Sequence, residues 1–212
     1  MGRSARVRLG SLVLALMCAA ISACATVGIE DPQVYVANWG GGEGSLARIS
    51  GRYAEALDDS TPASAAYRRM SIRLTRAAGP MLEAFEARFG DSDTCRALVR
   101  SLSGGLGADG LVLQSATEEE QRFSSEEGMD VVFVRRGNSW RIDGLASLKS
   151  LIPDEAQRER LVLQQVRDVE PRLPLYAKSM DEFARRLRAG DFADAEEAGA
   201  AIASATKQAL AR

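Results

Sequence analysis

The hydrophobic period of this chain changes twice, and that change limits the fold more than any single residue does. Between residues 45 and 102 apolar side chains recur every three or four positions. Leu46, Ile49, Tyr53 and Leu57 form one set, then Tyr67, Met70, Leu74 and Ala77, then Met81, Leu82, Phe85 and Phe89, then Cys95, Leu98, Val99 and Leu102. Each set falls on one helical face. Asp58-Asp59-Ser60, Gly79-Pro80 and Gly90 punctuate the run, and Thr61-Pro62 pairs an N-cap residue with proline at the first helical position. Four short helices in a row are expected.

From residue 110 the period falls to two. Leu111, Leu113 and Ser115 alternate with Val112, Gln114 and Ala116, which predicts a strand over 110–117. Met129, Val131 and Phe133 alternate with Asp130, Val132 and Val134, and Trp140 and Ile142 alternate with Arg141 and Asp143. Arg136-Gly137-Asn138-Ser139 supplies residues that tolerate positive φ in a tight loop, so 129–145 is expected to be a β-hairpin. The polar stretch 118–127 reads as a connection. Beyond Pro153 the helical period returns in Ala156, Val162, Val166 and Val169, and after Pro171 and Pro174 in Tyr176, Met180, Phe183, Ala184 and Leu187. After Gly190, Asp194 and Glu197 stand at capping-box spacing ahead of an alanine-rich helix with Ile202 and Leu210. The expected fold class is α+β: several N-terminal helices, a small antiparallel sheet with a hairpin at 129–145, and a helical C-terminal extension.

The N-terminus follows neither period. Arg3, Arg6 and Arg8 precede an apolar run over 12–21, and the small residues Ser22 and Ala23 follow it. These are the three parts of an export signal, and the run is shorter than the ~20 residues of a transmembrane helix. Ile21-Ser22-Ala23-Cys24 resembles the bacterial lipoprotein signal, in which an aliphatic residue and two small ones precede the modified cysteine. Cys18 does not fit that pattern, because Met17 before it is too bulky. The resemblance implies cleavage before Cys24, a diacylglyceryl thioether on its sulfur and an acyl chain such as palmitate on its amine. Two or three chains anchor stably where one binds only marginally. Ala25 is not the Asp that keeps enterobacterial lipoproteins at the inner membrane, so the implied location is the cell envelope, at the outer membrane, facing the periplasm or the exterior.

The expected organisation is a signal peptide at 1–23, a flexible tether at 24–44, an α+β domain at 45–151 and a helical extension at 152–212 packing on the same domain. The tether reading rests on Gly40-Gly41-Gly42-Glu43-Gly44, with Tyr35 and Trp39 placed to rest at the headgroup level. Without Arg3, Arg6 and Arg8 the balance moves from 27 Lys+Arg against 29 Asp+Glu to 24 against 29. An acidic domain with intermixed signs is not built to cover phosphates, so nucleic acid is not an expected partner. The expected partners are the membrane, through the lipid on Cys24, and another envelope protein.

The chain has no histidine, which removes His-dependent triads and the commonest metal ligand. Once Cys24 is acylated, Cys95 stands alone; its stripe-mates Leu98, Val99 and Leu102 place it in a core, so no disulfide is expected. Gly105-Leu106-Gly107-Ala108-Asp109-Gly110 matches a dinucleotide fingerprint, but here a helix precedes it and a strand follows, the reverse of what a pyrophosphate needs. The glutamates of 118–127 lack the spacing of a calcium loop. No catalytic residue, cofactor or metal is therefore assigned, and a non-enzymatic role is expected.

Asn138-Ser139-Trp140-Arg141-Ile142-Asp143-Gly144-Leu145 and Tyr53-Ala54-Glu55-Ala56-Leu57-Asp58-Asp59 resemble the terminal strand and the first helix of NTF2-like, cystatin-like α+β domains, over about residues 45–145. The helical extension and the small number of readable strands depart from that family. The resemblance implies, as an alternative function, a small-molecule-binding or catalytic pocket with Asp130, Asp143 and Tyr67 as its nearest polar candidates. A third reading gives the stripe Tyr176, Met180, Phe183 and Leu187 to a partner; packing over the hairpin of the same chain is the expectation set against it.

Overall fold

The computed structural model describes residues 28–39, 46–90, 92–102, 111–125, 130–149 and 152–210. The signal segment, Cys24, the glycine run at 40–44, the turn at 105–110 and residues 126–129 lie outside the described residues. Within them the fold is α+β. In chain order come helices α1 (Pro32–Trp39), α2 (Leu46–Ala56), α3 (Pro62–Phe89) and α4 (Asp93–Leu102). Strands β1 (Val112–Ala116), β2 (Glu120–Ser124), β3 (Asp130–Arg136) and β4 (Ser139–Ile142) follow, then helices α5 (Glu155–Val169), α6 (Leu173–Ala189) and α7 (Ala195–Leu210). The strands form one antiparallel meander in the order β1-β2-β3-β4.

Helix α3 starts where its sequence says it should. The Thr61 hydroxyl accepts from the Ser64 amide at 3.1 Å, and the Ser64 hydroxyl accepts from the Thr61 amide at 2.9 Å, closing a reciprocal cap ahead of Pro62. It does not stop at Gly79-Pro80, as the four-helix expectation required. The helix runs through Pro80 for 28 residues, so three helices, not four, occupy residues 46–102. An internal proline costs about 3 kcal/mol. Met81, Leu82 and Phe85, just beyond it, are at most 2% exposed against α6, and each such burial contributes roughly 1.5–3 kcal/mol. Burial outweighs the proline.

That burial uses the C-terminal stripe. Tyr176, Met180, Phe183 and Leu187 pack with Ala78, Leu82, Phe85, Cys95 and Val99, not over the hairpin, and none of the four is an exposed face awaiting a partner. Helix α6 lies chiefly along α3. Arg88 seals the far end of α3 by donating to the carbonyls of Gly190 (3.3 Å) and Phe192 (3.0 Å) in the α6–α7 turn. Asp194 caps α7 by accepting from the Glu197 amide at 2.8 Å, while Glu197 reaches back to the Ala193 amide.

The hairpin forms as expected, with Gly137 at φ 60° in its turn. Phe133 stands opposite Ile142 and Arg135 opposite Trp140, so the face carrying Val131 and Phe133 is the one Trp140 joins. Trp140 is 8% exposed. Strand β2 replaces the connection expected at 118–127; of its residues only Phe123 is apolar, and it is buried against Phe133. Within the span expected to be a tether, residues 28–39 are described and structured. Ile29 is 4% exposed and exchanges two backbone hydrogen bonds with Trp140, at 3.1 and 2.8 Å, along the outer edge of β4. Asp31 then accepts from the Gln33 amide, Pro32 opens α1, and the Tyr35 ring packs edge-on against Phe133 instead of reaching outward. A strand edge left open is a liability, and residue 29 covers part of it.

Candidate functional site

Leu57 forms a parallel bridge with Ile142, and the Asp58 amide donates to the Ile142 carbonyl at 2.8 Å. This docks the turn between α2 and α3 against the ends of β3 and β4. A third apolar cluster, Ala63, Leu145 and Val162, joins α3, the segment after β4 and α5 at the same junction. Between these elements lies a polar cleft of about 100 Å³, lined among others by Asp58, Ser60, Arg136, Asp143, Glu155 and Arg158.

Asp58 is 5% exposed and fully engaged. Arg136 grips it with both arms of its guanidinium, Nε to Oδ1 at 3.0 Å and Nη2 to Oδ2 at 3.0 Å, and the Ser60 hydroxyl donates to Oδ2 at 2.5 Å. Arg136 also donates to Ser60, closing a three-residue ring. Burial pushes the Asp58 carboxyl up, but the hydrogen bonds from Arg136 and Ser60 together outweigh it and hold the group below the usual carboxylate range. Arg136 is raised in turn, chiefly by its bond to Asp58.

Asp143 shows the opposite shift. Burial raises its carboxyl above the ordinary value, helped by the nearby charge of Asp58, although its Oδ1 accepts from the amides of Leu145 (2.9 Å) and Ala146 (3.0 Å). Two carboxylates whose environments drive them apart are the raw material of acid–base chemistry. Here each is already spent on the fold, Asp58 on an ion pair and Asp143 on two amides. Arg158, 9% exposed, donates to the carbonyls of Ile152 and Pro153 at 2.7 Å each and fixes the entry to α5.

No family model matches this chain, and no curated protein or solved structure matches it significantly. The cleft and the sheet must therefore be judged on their own chemistry. The sheet's apolar face is filled: Phe123, Val131, Phe133 and Ile142 are at most 3% exposed and pack with Tyr53, Ala56 and Leu57. Among the described residues no three carboxylate or thiol groups converge on a metal position.

Of the three candidates tied to the family resemblance, only Asp143 lines the cleft. Asp130 binds Arg122 (3.0 Å) and Ser124 (2.6 Å) on the sheet. Tyr67 backs the site from behind Gly144, where an added Cβ would lie 2.5 Å from its Cε1. Cys95 lies at 0% exposure in the helical core. Sequence reasoning missed Asp58, Ser60 and Arg136. Asp58-Asp59-Ser60 carried only a helix-ending signal, and Arg136 reads as one of many exposed cations flanking a turn; nothing local joins partners 78 residues apart.

Proposed function

We propose that this chain is a lipid-anchored protein of the bacterial cell envelope, delivered to the outer membrane, which acts by contact with another envelope component and not by catalysis. The observation that carries the reading is Ile21-Ser22-Ala23-Cys24 closing a basic and then apolar N-terminus. The use made of the polar cleft supports the second half: Asp58 holds the α2–α3 turn to the sheet through Arg136, and Asp143 accepts from the amides of Leu145 and Ala146 in the segment after β4.

Metabolic labelling with a palmitate analogue checks the anchor. Label is expected on the protein and lost in Cys24→Ser. Label surviving that substitution, or absent from the parent, rejects it.

A further inference from the structure

Resting on that reading of Cys24, we infer that the lipid surface itself is the neighbour of the β3–β4 turn. The reason is chain length. Only Ala25, Thr26 and Val27 separate Cys24 from Gly28, where the described fold begins. Four steps of extended chain span at most about 14 Å. The headgroup layer of one leaflet takes up roughly 5–8 Å of that reach, because the polar regions add this much to each side of the hydrocarbon core. Little is left over.

Gly28 is held where the link ends. A Cβ on it would lie 2.4 Å from the Ser139 Cβ, and Ile29 is bonded to Trp140 through two backbone hydrogen bonds. The anchor therefore pulls on the turn end of β4, next to exposed Gly137 and Asn138. Arg135, exposed and with its guanidinium 5.9 Å from the Trp140 ring centroid, and Arg136, paired with Ser139, are cations beside that point; the acidic residues Glu30 and Asp31 follow Gly28 in the chain. Held that close, their charges would act on phospholipid headgroups from within about one Debye length, ~10 Å, where screening is only partial.

Helix α3 supplies the contrast. Its N-terminus is clamped beside the turn through Arg136 and Asp58, and its 28 residues extend about 42 Å away. Ala87, exposed near the other end, is under no such restraint. A flexible link of about 20 residues would have given a mean reach near 25 Å and no preferred end. Pairing of Ile29 with β4 removes that freedom and selects the face that meets the bilayer.

The test places a fluorophore on Asn138→Cys, on Glu30→Cys or on Ala87→Cys in the full lipidated protein. It is held on phosphatidylethanolamine–phosphatidylglycerol vesicles bearing headgroup nitroxide. Cys95, fully buried, does not compete for the label. Quenching at residues 138 and 30 should exceed that at 87 several-fold, and a Gly/Ser insert of about 16 residues after Ala25 should erase the difference. Protein that floats with the vesicles yet quenches equally at all three sites overturns the orientation and leaves the anchor standing. A difference that survives the insert removes the short link as its cause and overturns the inference too. Protein that does not float with the vesicles rejects the anchor, and the orientation falls with it.

Discussion

The helical lobe and the sheet lobe are stabilised by different means. In the helical lobe, Met81, Leu82, Phe85, Cys95, Val99, Tyr176, Met180, Leu187 and Ile202 form one apolar cluster, and each sits on a stripe its own helix displays. The sheet lobe gathers Ile29, Tyr53, Leu57, Phe123, Phe133, Trp140 and Ile142 from many separate segments. It adds an ion pair between buried Asp58 and part-exposed Arg136 where its edge meets α3. The first lobe needs only that helices pack; the second needs a register and a particular pair of charges. Loss of α5–α7 should therefore remove a whole cluster, while point changes in the sheet should each remove a part.

Truncation after Leu151 has the largest expected effect. It exposes Ala78, Met81, Leu82 and Phe85 together, and the fragment should aggregate or lose cooperative melting. A soluble fragment with a sharp calorimetric transition would mean that the sheet lobe folds alone. Trp140→Ala comes next, in denaturant melts of protein starting at Ala25. With Trp140 8% exposed, a loss of about 3–5 kcal/mol is expected out of a typical total of about 5–15. An unchanged midpoint would mean that the ring contributes nothing to the core.

Arg136→Met should cost about 3 kcal/mol near neutral pH, because it strands a buried carboxylate. Asp58→Asn should cost less, since the Arg136 side chain, 46% exposed, can turn to water. The sign with pH separates the two states of the site. In the parent the depressed Asp58 carboxyl contributes stability above the unfolded carboxylate range that is lost as pH falls through the folded value. In Arg136→Met burial acts unopposed by the guanidinium, so stability should instead recover as pH falls toward 4. Melts at several pH values that run parallel for parent and variant would exclude the pair as the cause.

Asp143→Asn is the smallest. Its amide oxygen can still accept from Leu145 and Ala146, and the substitution removes a charge that burial disfavours. For a raised carboxyl the stability present below the unfolded value is lost as pH rises through the folded one, so the variant should equal or slightly exceed the parent at pH 7. A loss above about 1 kcal/mol would show that the ionised form is needed.

Helix periodicity, the Thr61-Pro62 start, the Gly137 turn and the burial of Cys95 and Trp140 were all legible in the sequence, because each depends on residues within a few positions of one another. Asp31-Pro32 carries the same start signal as Thr61-Pro62, yet the glycines after it favoured a tether; the signal was present and outweighed. Strand β2 left almost none, since Glu120-Gln121-Arg122-Phe123-Ser124 has one apolar residue, and pairing on both sides, with β1 and β3, makes it a strand.

By itself the sequence determined the class of fold and the acidic balance, both matters of local pattern or composition. Only the tertiary structure decided that α3 passes through Pro80, that the C-terminal stripe covers α3 and not the hairpin, that Asp58 meets Arg136, and that Ile29 closes onto Trp140. Each of these is a competition between a local preference and a contact distant in sequence. Burial of several apolar side chains, each worth roughly 1.5–3 kcal/mol, exceeds what one proline can oppose.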